Sequence, residues 1–114
     1  MPSKSRLLTT IKPTTMNPTA SRTHPGIILR TEFFEPMNIT QLAAAKATGI
    51  PQSRLSQILA GRRAITPDTA ARLGRYFRVD PRNWLNLQVA FDLWKLERDS
   101  GRQLNHEVKP RVGA

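Results

Sequence analysis

The sequence predicts an all-α fold of five helices, and three features carry this prediction. Two short apolar patterns with helical spacing flank a Gly-Ile-Pro turn at residues 49–51. Two later segments each open with a helix-capping residue followed by proline, at Thr66 and at Asp80. The longest apolar pattern covers residues 82–98. Together with an amphipathic segment at residues 27–35, these patterns give five helices.

The two helices around the Gly-Ile-Pro turn are predicted to form a helix-turn-helix over residues 40–61. Gly49 can take the positive φ that such a turn requires, because it has no Cβ. Pro51 suits the first position of the second helix, where no helical hydrogen bond needs its missing N–H. The spacing is similar to that of repressor-type helix-turn-helix proteins at Gln41, Ala45, Gly49, Ile50, Leu55 and Ile58.

Net charge and composition narrow the classes of function that this chain can have. The 114 residues are enough for one small domain, and their formal net charge of +10 favours a polyanionic partner, with nucleic acid the leading one. The surplus is +4 over residues 1–24, +5 over residues 25–98 and +1 over the last sixteen residues. The sequence contains no cysteine, which excludes disulfides, thiolate nucleophiles and cysteine-ligated zinc.

Residues 1–22 are predicted to form a flexible basic extension, because they are rich in Ser, Thr and Pro and show no sustained periodicity. They contain no secretory apolar region, although a lack of acidic residues together with Ser and Arg is also found in transit peptides. Met16 is an alternative start of the natural chain.

Residues 23–98 are predicted to form the helix-turn-helix domain. Helix one should end before Pro36, because proline disfavours helix at the residue that precedes it. Asn38 or Thr40 can cap helix two. Helix four should start at Thr66-Pro67-Asp68, which supplies a cap, a first-turn proline and an acid at the positive helix end.

Helix five, residues 81–98, has two apolar sides, and Gly101 is expected to end it and leave residues 99–114 as a polar tail. One stripe, Leu85 with Val89 and Leu93 or Leu96, is predicted to close the core. The other should face solvent in a monomer and make helix five a dimerisation helix. Its residues are Trp84, Leu87, Phe91 and Trp94. The alternative is that helices one to four cover both stripes.

Helix three is predicted to enter the major groove of double-stranded operator DNA, with its N-terminal half against the base edges. Gln41, at the start of helix two, and Arg62 with Arg63, just after helix three, are predicted to bind phosphates, which position the protein without specifying sequence. Glutamine pairs with adenine, and arginine can take guanine or a phosphate. The outward-facing residues of helix three are Gln52, Ser53, Ser56 and Gln57, with Arg54 flanking them.

Catalysis is not expected. His24 and His106 lie at the edges of the predicted domain, and Ser53 and Ser56 have no evident base beside them. We therefore predict no catalytic residues, no metal site and no cofactor. No apolar run approaches the length of a membrane span, and we expect a cytoplasmic bacterial protein that reaches the nucleoid through operator binding.

Motifs outside the helix-turn-helix narrow the family. The segments are His24-Pro25-Gly26, Phe33-x-Glu35-Pro36-Met37, residues 61–66 (GRRAIT), Asp68-Thr69-Ala70 and residues 84–88 (WLNLQ) with Asp92-Leu93. Over about residues 23–95 the chain resembles the HigA-type antitoxins of bacterial toxin–antitoxin modules, from which the long basic N-terminal extension departs.

The resemblance implies a homodimer that binds the operator of its own operon and neutralises a HigB-type toxin, a small ribonuclease that cuts mRNA on the ribosome. Two alternatives stay open. A stand-alone, phage-like repressor would use the same dimer and groove chemistry without a toxin partner. A non-specific DNA-packaging protein would bind through charge alone and show little operator preference.

Overall fold

The computed structural model describes residues 22–113, and within them all regular structure is helical. The helices are α1 (Pro25–Leu29, continued by a π-helix over Arg30–Phe34), α2 (Gln41–Thr48), α3 (Gln52–Leu59), α4 (Pro67–Phe77) and α5 (Pro81–Glu107). The all-α, five-helix prediction is confirmed. The predictions for residues 1–21 lie outside the described part. None of the described helices combines the length and apolar character needed to cross a membrane.

The first helix is capped by His24, whose side chain accepts a hydrogen bond from the Gly26 N–H at 2.8 Å. Its second half is a π-helix, in which the Glu35 N–H donates to the Arg30 carbonyl at 2.9 Å, five residues back. Both Phe33 and Phe34 are buried in this wider turn. The helix ends at Phe34 with Glu35 as its C-cap, before Pro36, as predicted from the restriction that proline imposes.

The caps of the later helices largely follow the sequence pattern. Thr40 caps α2 and Thr66 caps α4, each through its hydroxyl, whereas Asn38 takes a left-handed conformation in the preceding turn. Asp80 caps α5. The position predicted for Pro51 is wrong by one residue, because its ψ of 137° is extended and the helix begins at the next residue.

Aromatic rings fill the core between α1, α4 and α5. The Phe33 ring meets the rings of Phe77 and Trp84 edge to face, with centroids 4.9 and 5.3 Å away. On the other side, α1 crosses α3 so closely that a Cβ on Gly26 would lie 1.7 Å from the Ile58 carbonyl oxygen. The motif helices are thereby fixed to a scaffold made by α1, α4 and α5.

Leu85 packs against the core as predicted, but the other residues of the two predicted stripes of α5 are largely exchanged. Trp84 is fully buried and Leu87 is 7% exposed in the single chain, so neither can supply the predicted dimer surface. Phe91 and Trp94 are partly buried beside them. Trp84 turns inward because its ring packs edge to face against Phe33, with centroids 5.3 Å apart, and Phe91 packs in the same way against His24, with centroids 5.1 Å apart. The side chains that face solvent are Val89, Leu93 and Leu96, which are 55%, 56% and 46% exposed.

The predicted end of helix five is also wrong. The helix passes through Gly101 and continues to Glu107, giving 27 residues, so residues 99–107 belong to the helix and not to a tail. A single interior glycine costs a helix only about 1 kcal/mol. The last turns gain support from a hydrogen bond of 2.8 Å between Gln103 and Glu107. The chain leaves the helix at Val108, shortly before Pro110.

Candidate nucleic-acid interface

Helix α3 has one apolar face and one polar face. Leu55, Ile58 and Leu59 are buried against the scaffold. The exposed side chains share the opposite face, with Arg54 half-buried at its edge. The structure therefore brings the predicted base-reading residues onto one continuous surface, where they remain candidates for DNA contact. They are Gln52, Ser53, Ser56 and Gln57.

The turn between α2 and α3 fixes the angle at which this surface is presented. Gly49 has a φ of 76°, and its N–H donates to the Ala45 carbonyl at 2.9 Å. The Thr48 hydroxyl donates to the Ala44 carbonyl at 2.7 Å and accepts from the Ile50 N–H at 3.2 Å. The predicted need for a residue that tolerates positive φ at position 49 is confirmed.

Arg72 on α4 stabilises the same turn through a hydrogen bond. Its Nη1 donates to the Thr48 carbonyl oxygen at 2.9 Å, and its Nε donates to Asp68 Oδ2 at 3.1 Å. A Cβ on Gly49 would lie 2.8 Å from this Nη1. Close approach of the arginine is therefore a second reason for glycine at the turn, and the sequence pattern gave no sign of it.

The predicted phosphate-contacting residues lie at two places around α3. Gln41 is the first residue of α2 and is partly exposed, beside the cap that Thr40 makes to the Ala43 N–H at 3.1 Å. Arg62 and Arg63 are exposed in the loop after α3. The side chains at both places are at least partly accessible to solvent, so they remain candidates for phosphate contact.

One of these arginines is already linked to the recognition helix. Arg63 Nε donates to Gln57 Oε1 at 2.8 Å. This bond leaves the amide N–H₂ group of Gln57 free to donate, while its oxygen is engaged in the free protein. Gln57 and Arg63 therefore present one combined hydrogen-bonding unit at the end of α3.

His24 connects the loop after α3 to α5. Its ring lies edge to face with the Phe91 ring, with centroids 5.1 Å apart, and also hydrogen-bonds the backbone of Arg63. Burial lowers the pKa of His24 below its ordinary 6.5, and the nearby Asp92 carboxylate and the bond to Arg63 oppose that shift. A neutral ring is needed for the Gly26 cap, because its Nδ1 accepts that N–H.

Gln88 on α5 holds the other end of the same loop. It is 5% exposed, and its Oε1 accepts a hydrogen bond of 2.8 Å from the Ile65 N–H. Its Nε2 donates to Asp92 Oδ1 at 3.0 Å. Gln88 lies in one of the family motifs, but the motif does not reveal this role, because a contact across 23 residues has no local signal in the sequence.

The architecture and the exposed face of α3 identify a helix-turn-helix DNA-binding protein. The helix-turn-helix family model matches residues 32–84, which include α2, α3 and α4. Virulence-associated protein I of Dichelobacter nodosus is 49% identical over 76 residues, which are 67% of this chain and 70% of that protein. Antitoxin HigA-1 of Vibrio cholerae is 39% identical over 84 residues, 74% of this chain and 75% of that protein.

A solved structure supports the same assignment. The Pseudomonas aeruginosa antitoxin HigA with higBA promoter superposes with a TM-score of 0.76 and 36% identity, covering 80% of this chain and 99% of that one. The agreement extends well beyond the helix-turn-helix itself. The chain belongs to the HigA family of helix-turn-helix antitoxins, and the predicted family is confirmed.

Proposed function

We propose that this chain is the antitoxin of a type II toxin–antitoxin module, which neutralises a HigB-type ribonuclease toxin and, as a dimer, represses its own operon. The observation that carries the proposal is the polar face of α3, displayed on a scaffold that superposes on an antitoxin solved with its promoter. The protein acts by binding, without a catalytic step.

Sequence reading is assigned to the N-terminal half of α3. Gln52 and Ser53 would meet base edges in the major groove, and Ser56 and Gln57 would extend the contact along the helix. Gln41, Arg62 and Arg63 would hold the backbone on either side. Because one helix reads only a few base pairs, specific repression needs two copies on a near-palindromic operator.

The dimer surface is assigned to the solvent-facing side of α5, made by Val89, Leu93 and Leu96. These residues are about half exposed in one chain and follow each other at spacings of four and three, so they form a single apolar stripe. A second copy of the same helix, related by a two-fold axis, offers the matching stripe. Such a dimer would carry two α3 helices to adjacent turns of the operator.

Neutralisation can be tested by expressing the reading frame that adjoins this gene. The frame is placed under an inducible promoter unrelated to its own, so that repression cannot account for any rescue. We expect growth arrest by the frame alone, rescue by this chain and co-purification of the two proteins. The variant Arg62→Ala should lose DNA affinity but keep its fold. It should therefore rescue growth as well as wild type does, because neutralisation by direct contact does not require DNA binding.

Absence of both arrest and complex would contradict the antitoxin role. It would leave the alternative of a stand-alone repressor, with the same groove contacts and no toxin. If wild type rescues growth and Arg62→Ala does not, the rescue depends on DNA binding. That result would also contradict neutralisation by direct contact.

A further inference from the structure

An acidic residue lies beside the recognition helix, at the side where a polyanion is expected to bind. Asp68, in the first turn of α4, has its Oδ2 at 3.8 Å from Arg54 Nη1 on α3. The pair is accessible, with the Arg54 side chain 36% exposed and that of Asp68 61% exposed. A negative charge at this place opposes the binding of a phosphate nearby.

The Asp68 carboxylate is not a freely moving surface group. The same Oδ2 accepts a hydrogen bond from Arg72 Nε at 3.1 Å, and Arg72 is itself anchored to the Thr48 carbonyl at 2.9 Å. The network joins the end of α2, the start of α4 and the side of α3. Arg54 therefore faces a negative charge that the turn of the motif holds in place.

We propose that Asp68 is a specificity-determining residue, which acts through Arg54 and raises the preference of the protein for its operator over other DNA. An unpaired arginine at the groove edge binds any phosphate in reach, and such contacts add equally to all sequences. The Asp68 charge weakens those contacts and restricts the directions that the Arg54 guanidinium can take. This inference rests on the proposed role of α3 in reading DNA.

Asp68 also has a structural role, and the two roles have different consequences. As a first-turn acid paired with Arg72 four residues later, it stabilises α4. Loss of that role would lower the melting temperature and the fraction of folded protein. It would not change the ratio of affinities that the folded protein has for two DNA sequences.

The test compares Asp68→Asn with Asp80→Asn. The control removes the same charge from a capping acid that pairs with Arg82 at 3.9 Å, and asparagine still caps a helix well. The probes are a duplex enriched by wild type from a random library and a shuffled duplex of the same length and composition. Fluorescence anisotropy at one fixed salt concentration gives both dissociation constants.

We expect Asp68→Asn to lower the ratio of the two affinities by roughly threefold or more, chiefly by tighter binding to the shuffled duplex. Asp80→Asn should leave the ratio unchanged. In an Arg54→Gln background, Asp68→Asn should have no further effect on the ratio, since the proposed action passes through Arg54.

An unchanged ratio in Asp68→Asn would overturn the inference, and so would an equal fall in Asp80→Asn or in the Arg54→Gln background. These results would leave the proposed function intact, because wild type would still prefer the selected duplex. A wild-type protein for which the library yields no preferred sequence would overturn the operator-reading function as well.

Discussion

The side-chain oxygen of Gln88 accepts a hydrogen bond of 2.8 Å from the backbone N–H of Ile65, and both groups are buried. This bond joins α5 to the loop that carries Arg62 and Arg63. The loop would otherwise bury an unpaired N–H between two helices. The loop that is proposed to contact phosphates is thus positioned by the same helix that is proposed to form the dimer.

Replacing Gln88 tests this connection. Gln88→Leu keeps the volume and removes the acceptor, so the Ile65 N–H loses its partner and the free energy of unfolding should fall by about 1–3 kcal/mol. Gln88→Glu keeps an acceptor for Ile65 but places a second carboxylate beside Asp92. Chemical denaturation should give wild type the highest free energy of unfolding of the three proteins, and Gln88→Leu a lower one. Equal stability of Gln88→Leu and wild type would contradict the role given to this bond.

Two glycine substitutions should change stability in opposite directions. Gly26→Ala places a Cβ 1.7 Å from the Ile58 carbonyl oxygen, which is backbone and cannot move aside alone, so we expect a loss of at least about 3 kcal/mol. Gly101→Ala meets only the carboxylate of the exposed Glu97 at 3.1 Å and gains helix propensity, worth about 0.5–1 kcal/mol. Thermal unfolding followed by circular dichroism measures both. A tolerated Gly26→Ala would show that α1 does not approach α3 this closely.

His24 should make stability depend on pH. Since burial lowers its pKa below 6.5 in the folded chain, the unfolded chain takes up the proton first as the pH falls. Its contribution to stability is therefore complete above pH 6.5 and declines as the pH drops below that value. His24→Asn keeps a side-chain acceptor for the Gly26 N–H but does not titrate. We expect the stability of wild type, measured at pH 7.5 and 5.5, to fall more than that of His24→Asn, and parallel losses would contradict this assignment.

The proposed dimer surface is tested by placing a charge in the exposed stripe. Leu93→Glu should give a monomer with an intact fold, because the side chain is 56% exposed and takes no part in the core. Asn105→Glu adds the same charge elsewhere on α5, where the helix is also exposed, and should remain dimeric. Sedimentation velocity distinguishes the two states. A dimeric Leu93→Glu protein would exclude this stripe as the interface.

Local sequence rules predict the helix caps of this fold, but they fail where contacts between residues distant in sequence determine the structure. The Thr66-Pro67 and Asp80-Pro81 starts and the glycine at position 49 were readable, because each depends on neighbours within one turn. The face of α5 that turns to the core could not be predicted, because both apolar stripes have helical spacing and only packing against the other helices selects between them. The C-terminal end of α5 differs from the prediction because the residues after Gly101 support the helix more than this glycine weakens it.

At the candidate site, too, local features could be predicted from the sequence and long-range contacts could not. Helical periodicity correctly placed Gln52, Ser53, Ser56 and Gln57 on the exposed face of α3. The contacts that orient this face join residues far apart in sequence, such as Arg72 with Thr48 across 24 positions. Because no local pattern encodes such pairs, the influence of Asp68 and Arg72 on the motif could not be foreseen from the sequence.

The central claim, that α3 reads sequence in the major groove while the loop after it holds phosphates, is tested most directly by comparing Gln52→Ala with Arg62→Ala. Anisotropy titrations use a duplex selected by wild type and a shuffled duplex, over a series of salt concentrations. Arg62→Ala should weaken both complexes alike and reduce the salt slope by about one. Gln52→Ala should weaken the selected complex by about 1–3 kcal/mol and leave the shuffled one nearly unchanged. Equal losses on the two duplexes for Gln52→Ala would contradict the assignment of α3 to the groove.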